Sequence, residues 1–233
     1  MRVPGVHTRA ATTVSRQRPT QQACGAAAQV VLLALLTALT GLGPVGWAAG
    51  LLFAAGLWTL LDTAARRAGT DALGPADLVT LARAALVGGV LALVVDGAGP
   101  VPIVAVASVA LALDAVDGRV ARRTGTASAL GARFDMEVDA VLLLVLSAHV
   151  AVLLGPWVLA IGLMRYAYAA AGRLLPWLRG ALPVRYSAKA VAAVQGIVLV
   201  AAVAGAPGWV VAAALVLLVW SFGQSVVFLW RAR

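Results

Sequence analysis

Apolar stretches near the ~20 residues that carry a helix across a bilayer recur from Ala26 to the C-terminal end of this chain. Short segments holding the Gly, Pro and Arg residues separate them. That repetition constrains the fold more than any other feature. It predicts an all-α, polytopic helical bundle whose main solvent is lipid. Composition agrees: 62% of the 233 residues are hydrophobic and 12% are charged, whereas soluble domains carry about a quarter charged residues.

The run from Ala26 to Leu61 is too long for one helix and is broken at Gly41-Leu42-Gly43-Pro44, which predicts a hairpin of two short spans. A cleaved signal peptide is the rival reading, but apolar sequence continues well past any plausible signal core. Six further spans are expected at about Leu78–Val95, Val101–Val116, Phe134–Leu154, Trp157–Leu175, Ala188–Ala204 and Trp209–Trp230, giving eight in all. The expected organisation is a disordered basic cytoplasmic tail over 1–23, a transmembrane hairpin over 24–62, a cytoplasmic connector over 63–77 and a six-helix membrane domain over 78–233.

The formal charge of +9 does not point to nucleic acid, because the arginines sit in loops and tails without aromatic-interleaved basic motifs. Membrane topology accounts for them better. In an eight-span arrangement Arg66, Arg67, Arg119, Arg122, Arg123, Arg173, Arg179, Arg185, Lys189 and the terminal arginines fall on one side. The opposite loops, around Gly43, Gly97, Gly155 and Ala206, contain no Lys or Arg. The positive-inside rule then places both termini in the cytoplasm of a multi-pass cell-membrane protein. Cys24 is the only cysteine, which excludes an intramolecular disulfide or a Cys-x-x-Cys metal site.

The chain holds nine acidic residues. Five of them, Asp114, Asp117, Asp135, Glu137 and Asp139, lie within one stretch joining two apolar spans. On insertion scales each charge at membrane depth costs roughly 2.5 to 3.5 kcal/mol, so four aspartates could cost on the order of 10 kcal/mol before compensation. Asp114 and Asp117 are i and i+3, and Asp135 and Asp139 are i and i+4, so each pair shares a helix face. A turn between the helices can bring the two faces together. Converging carboxylates must protonate, separate or bind cations, and hard divalent ions prefer oxygen ligands. A site for one or two magnesium ions follows, with phosphoryl transfer as the expected chemistry. Around the acids, Gly118 and Ala121 keep the backbone approachable, Arg122 suits bidentate phosphate contacts, Ser128 supplies a hydroxyl, and Gly131 lies one turn before Asp135.

In full the stretch reads Asp114-x2-Asp117-Gly118-x2-Ala121-Arg122-x8-Gly131-x3-Asp135-x3-Asp139. It resembles the signature of the CDP-alcohol phosphotransferase (CDP-alcohol phosphatidyltransferase) family at every defining position. The resemblance implies a six-helix catalytic core preceded here by the extra two-helix hairpin. It implies Asp114, Asp117 and Asp135 as principal metal ligands, with Asp139 as catalytic base and further ligand. The implied cofactor is Mg2+ or Mn2+, as two ions. Gly118, Ala121, Arg122, Ser128 and Gly131 would border the substrate nucleotide and diphosphate. The implied reaction transfers a phosphatidyl or phosphoalcohol group from CDP-diacylglycerol or another CDP-alcohol to an alcohol acceptor, releasing CMP, in phospholipid biosynthesis. A homodimer among membrane lipids is also implied. Phosphatidylglycerophosphate synthases in this family typically show Asp-Pro-x-Ala-Asp-Lys where this chain has Asp135-Met136-Glu137-Val138-Asp139-Ala140, so that subfamily is not selected.

Simpler readings stand beside these. The aspartates could be interfacial charges paired with Arg119, Arg122 and Arg133, and carboxylates in spans also mark the ion pathways of cation- or proton-coupled transporters. Thr80 and Arg83, on the span before the motif, could face the nucleotide or simply pack and snorkel. Arg165 and Lys189 are open between a substrate contact and a topological role. His7 and His149 lie far in sequence from the carboxylates, and the tryptophans at span ends suit an interfacial belt.

Overall fold

The computed structural model describes residues 25–68, 75–124, 129–180 and 186–231. Within these, side chains are described for all but 64–68, 75–78, 115–124, 129, 130 and 186. The expected tail over 1–23 lies outside the described residues.

Helices α1 (Gly25–Thr40) and α2 (Pro44–Ala68) form the N-terminal pair. They are followed by α3 (Pro75–Val95), α4 (Pro100–Thr124), α5 (Ala129–Leu154), α6 (Leu159–Leu174), α7 (Tyr186–Val203) and α8 (Gly208–Arg231). Short 3-10 turns cover Pro156–Val158 and Pro176–Arg179. No strand occurs among the described residues. The helix break expected at Gly41–Pro44 is present, and Pro44 opens α2, where its missing N–H leaves no helical bond unmade.

Three helices contain segments long and apolar enough to cross a membrane: Pro44–Thr63, Gly131–Leu154 and Gly208–Arg231. Four more apolar helices are shorter: Gly25–Thr40, Val79–Val95, Pro100–Asp114 and Ser187–Val203. At 1.5 Å per residue a 17-residue segment such as Val79–Val95 is about 25 Å long, a little under the ~30 Å hydrocarbon thickness. The chain is therefore an all-α membrane protein. Large apolar side chains such as Val152, Leu174, Trp209, Val216 and Trp230 face outward, as expected where lipid is the neighbour.

Two glycines show how the helices stop. Gly97 and Gly205 have positive φ (73° and 101°) and follow the ends of α3 and α7. At each, two reversed hydrogen bonds close the helix: Gly97 N–H to Val94 O with Ala98 N–H to Leu93 O, and Gly205 N–H to Ala202 O with Ala206 N–H to Ala201 O. This Schellman pattern satisfies carbonyls at the helix end and strongly favours glycine.

The described helices group into two regions, divided within α4 between Leu111 and Ala112 and within α5 between Val138 and Asp139. In the first region, glycines on α3 admit side chains from α1 and α2. A Cβ on Gly88 would meet Phe53 and Gln29, and one on Gly89 would meet Leu32 and Leu36. The core there includes Leu33, Leu36, Val87, Val90 and Leu93. Asp96, just past α3, accepts hydrogen bonds from the main-chain N–H groups of Gly43 (2.9 Å) and Gly46 (3.2 Å). It thus caps the N-terminus of α2, where a carboxylate is favoured by both the free donors and the helix dipole.

In the second region, α6 lies so close to α5 that a Cβ on Gly162 would fall 2.3 Å from Ser147 Oγ and 2.6 Å from Leu144 Cα. Helix α7 joins α8 through Gln195, whose Nε2 donates to Ala214 O at 2.8 Å. Tyr168 and Phe222 meet edge-to-face with ring centroids 5.4 Å apart. These small-residue approaches and inter-helix hydrogen bonds are the means by which helices associate in lipid, where apolar burial alone gives little drive.

Candidate functional site

Helix α3 brings an arginine into a stripe that is otherwise packed. Thr80, Arg83, Ala84, Val87 and Val90 are all buried, at the three- and four-residue spacing of one helix face. Arg83 is only 1% exposed. A guanidinium cannot be deprotonated to avoid that burial, so it must be matched by charge and hydrogen bonds.

The partners come from α4 and α5. Arg83 Nη1 donates to Asp114 Oδ1 at 2.5 Å. Its Nη2 donates to Asp135 Oδ1 at 2.5 Å and to the Asp135 main-chain oxygen at 3.1 Å. The two aspartate side chains keep 40% and 35% exposure, so they stand between the buried cation and an open side.

Asp139 sits one turn beyond Asp135 on α5. One carboxylate oxygen from each of Asp114, Asp135 and Asp139 lies within 4.8 Å of the others. At an effective dielectric near 20, two unit negative charges at that separation repel by about 3 to 4 kcal/mol. Arg83 offsets part of that repulsion, and the hard oxygen donors and partial exposure of the three carboxylates fit a divalent cation such as Mg2+ or Mn2+. Among the described residues, no other group of three or more His, Cys, Asp or Glu side chains is arranged in this way.

Of the residues expected at the site, three aspartates are therefore brought together from two helices. The backbone of α4 stays helical through Asp117, Gly118, Ala121 and Arg122 to Thr124, so Asp117 follows Asp114 by one turn. The side chains of Asp117, Ala121 and Arg122 lie outside the described residues, and so does Ser128. Gly131 is half-buried on α5, one turn before Asp135. Glu137 is exposed and outside the triad, in keeping with its position on the helix, and the half-buried His149 is outside it too.

Arg83 is what sequence reasoning under-read. It does not snorkel: it is a buried counter-charge to two of the aspartates. Of the arginines nearer the acids in sequence, Arg133 is exposed, and the side chains of Arg119 and Arg122 lie outside the described residues. The available signal was its register, since Arg83 precedes Val87 and Val90 by four and seven residues in the same stripe.

Neither a curated protein nor a solved structure shows significant similarity to the chain. A family model does match, that of CDP-alcohol phosphatidyltransferase, over residues 73–221. The match covers more than half of the chain, takes in the whole stretch from Asp114 to Asp139, and begins after the α1–α2 hairpin. With the acidic signature carried on α4 and α5 and three of its four aspartates converging, the chain belongs to the CDP-alcohol phosphatidyltransferase family.

Proposed function

We propose that the protein is a metal-dependent membrane transferase that moves a phosphatidyl or phosphoalcohol group from a CDP-linked donor to an alcohol acceptor. CDP-diacylglycerol is the expected donor and CMP the product that leaves. The observation that carries this reading is the convergence of Asp114, Asp135 and Asp139 within 4.8 Å, inside the stretch matched by the family.

Asp114, Asp117, Asp135 and Asp139 are the residues that would hold Mg2+ or Mn2+, as two ions. Bound there, the metal would neutralise charge on the diphosphate and on the departing phosphate. Asp139 accepts the proton of the acceptor hydroxyl as its oxygen attacks the phosphorus that bears the lipid or alcohol. A new P–O bond forms to the acceptor. The P–O bond to the CMP phosphate breaks, and CMP leaves with the bonding electron pair. Gly118, Ala121 and Gly131 give the nucleotide and diphosphate close access to backbone, while Arg122 and Ser128 offer donors to phosphate oxygens. Catalysis is then mainly positioning and electrostatics.

The same reading includes topology. Eight membrane helices, both termini and the aspartates on the cytoplasmic side, and a six-helix domain over 78–233 behind the 24–62 hairpin fit the one-sided distribution of basic residues. An acyl-chain substrate then enters from the bilayer and CMP departs to the cytoplasm. Association into a homodimer belongs to this proposal as well.

The test is CMP release by detergent-purified protein given CDP-diacylglycerol or CDP-alcohols, Mg2+ or Mn2+, and a panel of alcohols, beside an Asp139→Ala control. Acceptor-dependent release that vanishes in the control supports the transferase and identifies the acceptor. Folded protein that releases no CMP with any pair, yet carries metal or proton flux in liposomes, is a transporter instead.

A further inference from the structure

Transfer chemistry as outlined needs aspartates, substrate donors and a hydroxyl, and it leaves the guanidinium of Arg83 without a part. Yet Arg83 is 1% exposed, on an apolar helix where any charge is costly to place. Hydrogen bonds from its guanidinium reach two helices. Nη1 holds Asp114 Oδ1 on α4, and Nη2 holds both Asp135 Oδ1 and the Asp135 main-chain oxygen on α5, at 2.5, 2.5 and 3.1 Å.

We propose that Arg83 is a positioning residue for the metal site. Its planar fork ties one oxygen of each aspartate, fixing both side-chain rotamers and the separation of the two carboxylates before a cation arrives. Oδ2 of Asp114 and of Asp135 is the oxygen left for the cation, one from each. The proposal rests on the reading of the aspartates as metal ligands and adds to it a preset, one-oxygen mode of binding. Partners that orient metal ligands in this way typically change affinity 10- to 100-fold when altered.

Two consequences of losing Arg83 oppose each other. Loss of orientation weakens cation binding, whereas loss of a positive charge strengthens it. Arg83→Lys separates them, because lysine keeps the charge but is a point donor without the rigid fork that spans two carboxylates.

The experiment measures Mn2+ binding to the full chain in detergent by the loss of the free-ion electron paramagnetic resonance signal. Thermal unfolding in chelator reports whether each protein is folded. Wild type is expected to bind, and folded Arg83→Lys to bind about 10- to 100-fold more weakly. Equal or tighter binding by folded Arg83→Lys overturns the positioning role while leaving the metal site intact. Absence of Mn2+ binding by wild type removes the metal site and this inference together. Should the variant fail to fold, the infrared difference spectrum of wild type on adding Mn2+ decides. Carboxylate bands of one-oxygen coordination are expected, and bands of two-oxygen chelation alone would overturn the proposal.

Discussion

Gly162→Ala tests whether the close approach of α6 to α5 is real, because it adds one carbon where the structure leaves no room. The new Cβ would stand 2.6 Å from Leu144 Cα and 2.3 Å from Ser147 Oγ. Unstrained carbon–carbon contacts begin near 3.5 Å, so the helices must part by about 1 Å. The obstacle is partly main chain, which cannot rotate away as the tip of a flexible side chain can. Overpacking of this kind costs about 1 to 3 kcal/mol. Alanine recovers about 1 kcal/mol of helix propensity at either of two helical glycines, so Gly162→Ala should lie about 1 to 3 kcal/mol below a Gly→Ala change that meets no obstacle. For a chain of this size that difference corresponds to roughly 2 to 12 °C in midpoint. Gly223→Ala on α8 is the matched control, since a Cβ there meets nothing within 4 Å, and it should leave stability unchanged or slightly raised. Both variants are compared with wild type by thermal unfolding in one detergent. Gly162→Ala as stable as Gly223→Ala would refute the packing described for α5 and α6.

Further expectations follow from single contacts. Asp96→Ala removes both acceptors at the start of α2 and should cost about 1 kcal/mol, whereas Asp96→Asn, which keeps one acceptor, should cost less; denaturant titration distinguishes them. Gln195→Leu deletes a hydrogen bond to Ala214 O but also removes a buried Oε1 that has no partner, so its stability should stay within about 1 kcal/mol of wild type. A loss well beyond that would mean that the α7–α8 junction depends on this one bond. Chelator should abolish CMP release, and Mg2+ or Mn2+ should restore it; full activity in thorough chelation would contradict the reading of the aspartates.

Much of this was legible in the sequence because the constraints were local. Glycine and proline at Gly41–Pro44 marked the break between α1 and α2, and the apolar runs gave the helices of a membrane bundle. The spacing of Asp114 with Asp117 and of Asp135 with Asp139 gave a shared face on each helix, and the structure adds the convergence of Asp114, Asp135 and Asp139. What was not legible depended on contacts distant in sequence. Asp96 caps a helix that begins 52 residues earlier, and nothing near Asp96 announces it. Arg83 is 31 residues from Asp114 and 52 from Asp135. In an apolar run an arginine that snorkels and one that is buried against carboxylates have the same neighbours in sequence. Only the direction of its helix face separates them, and that direction is set by tertiary packing.

The central claim is group transfer, and the product balance of a single reaction tests it most directly. Purified protein is given CDP-diacylglycerol with Mg2+ or Mn2+ and an acceptor that supports turnover, and CMP and the new lipid phosphodiester are counted in the same sample. One phosphodiester formed for each CMP released, with neither formed without acceptor, is the predicted result. CMP accompanied only by phosphatidic acid, with no phosphodiester under any acceptor, would show hydrolysis rather than transfer and contradict the account.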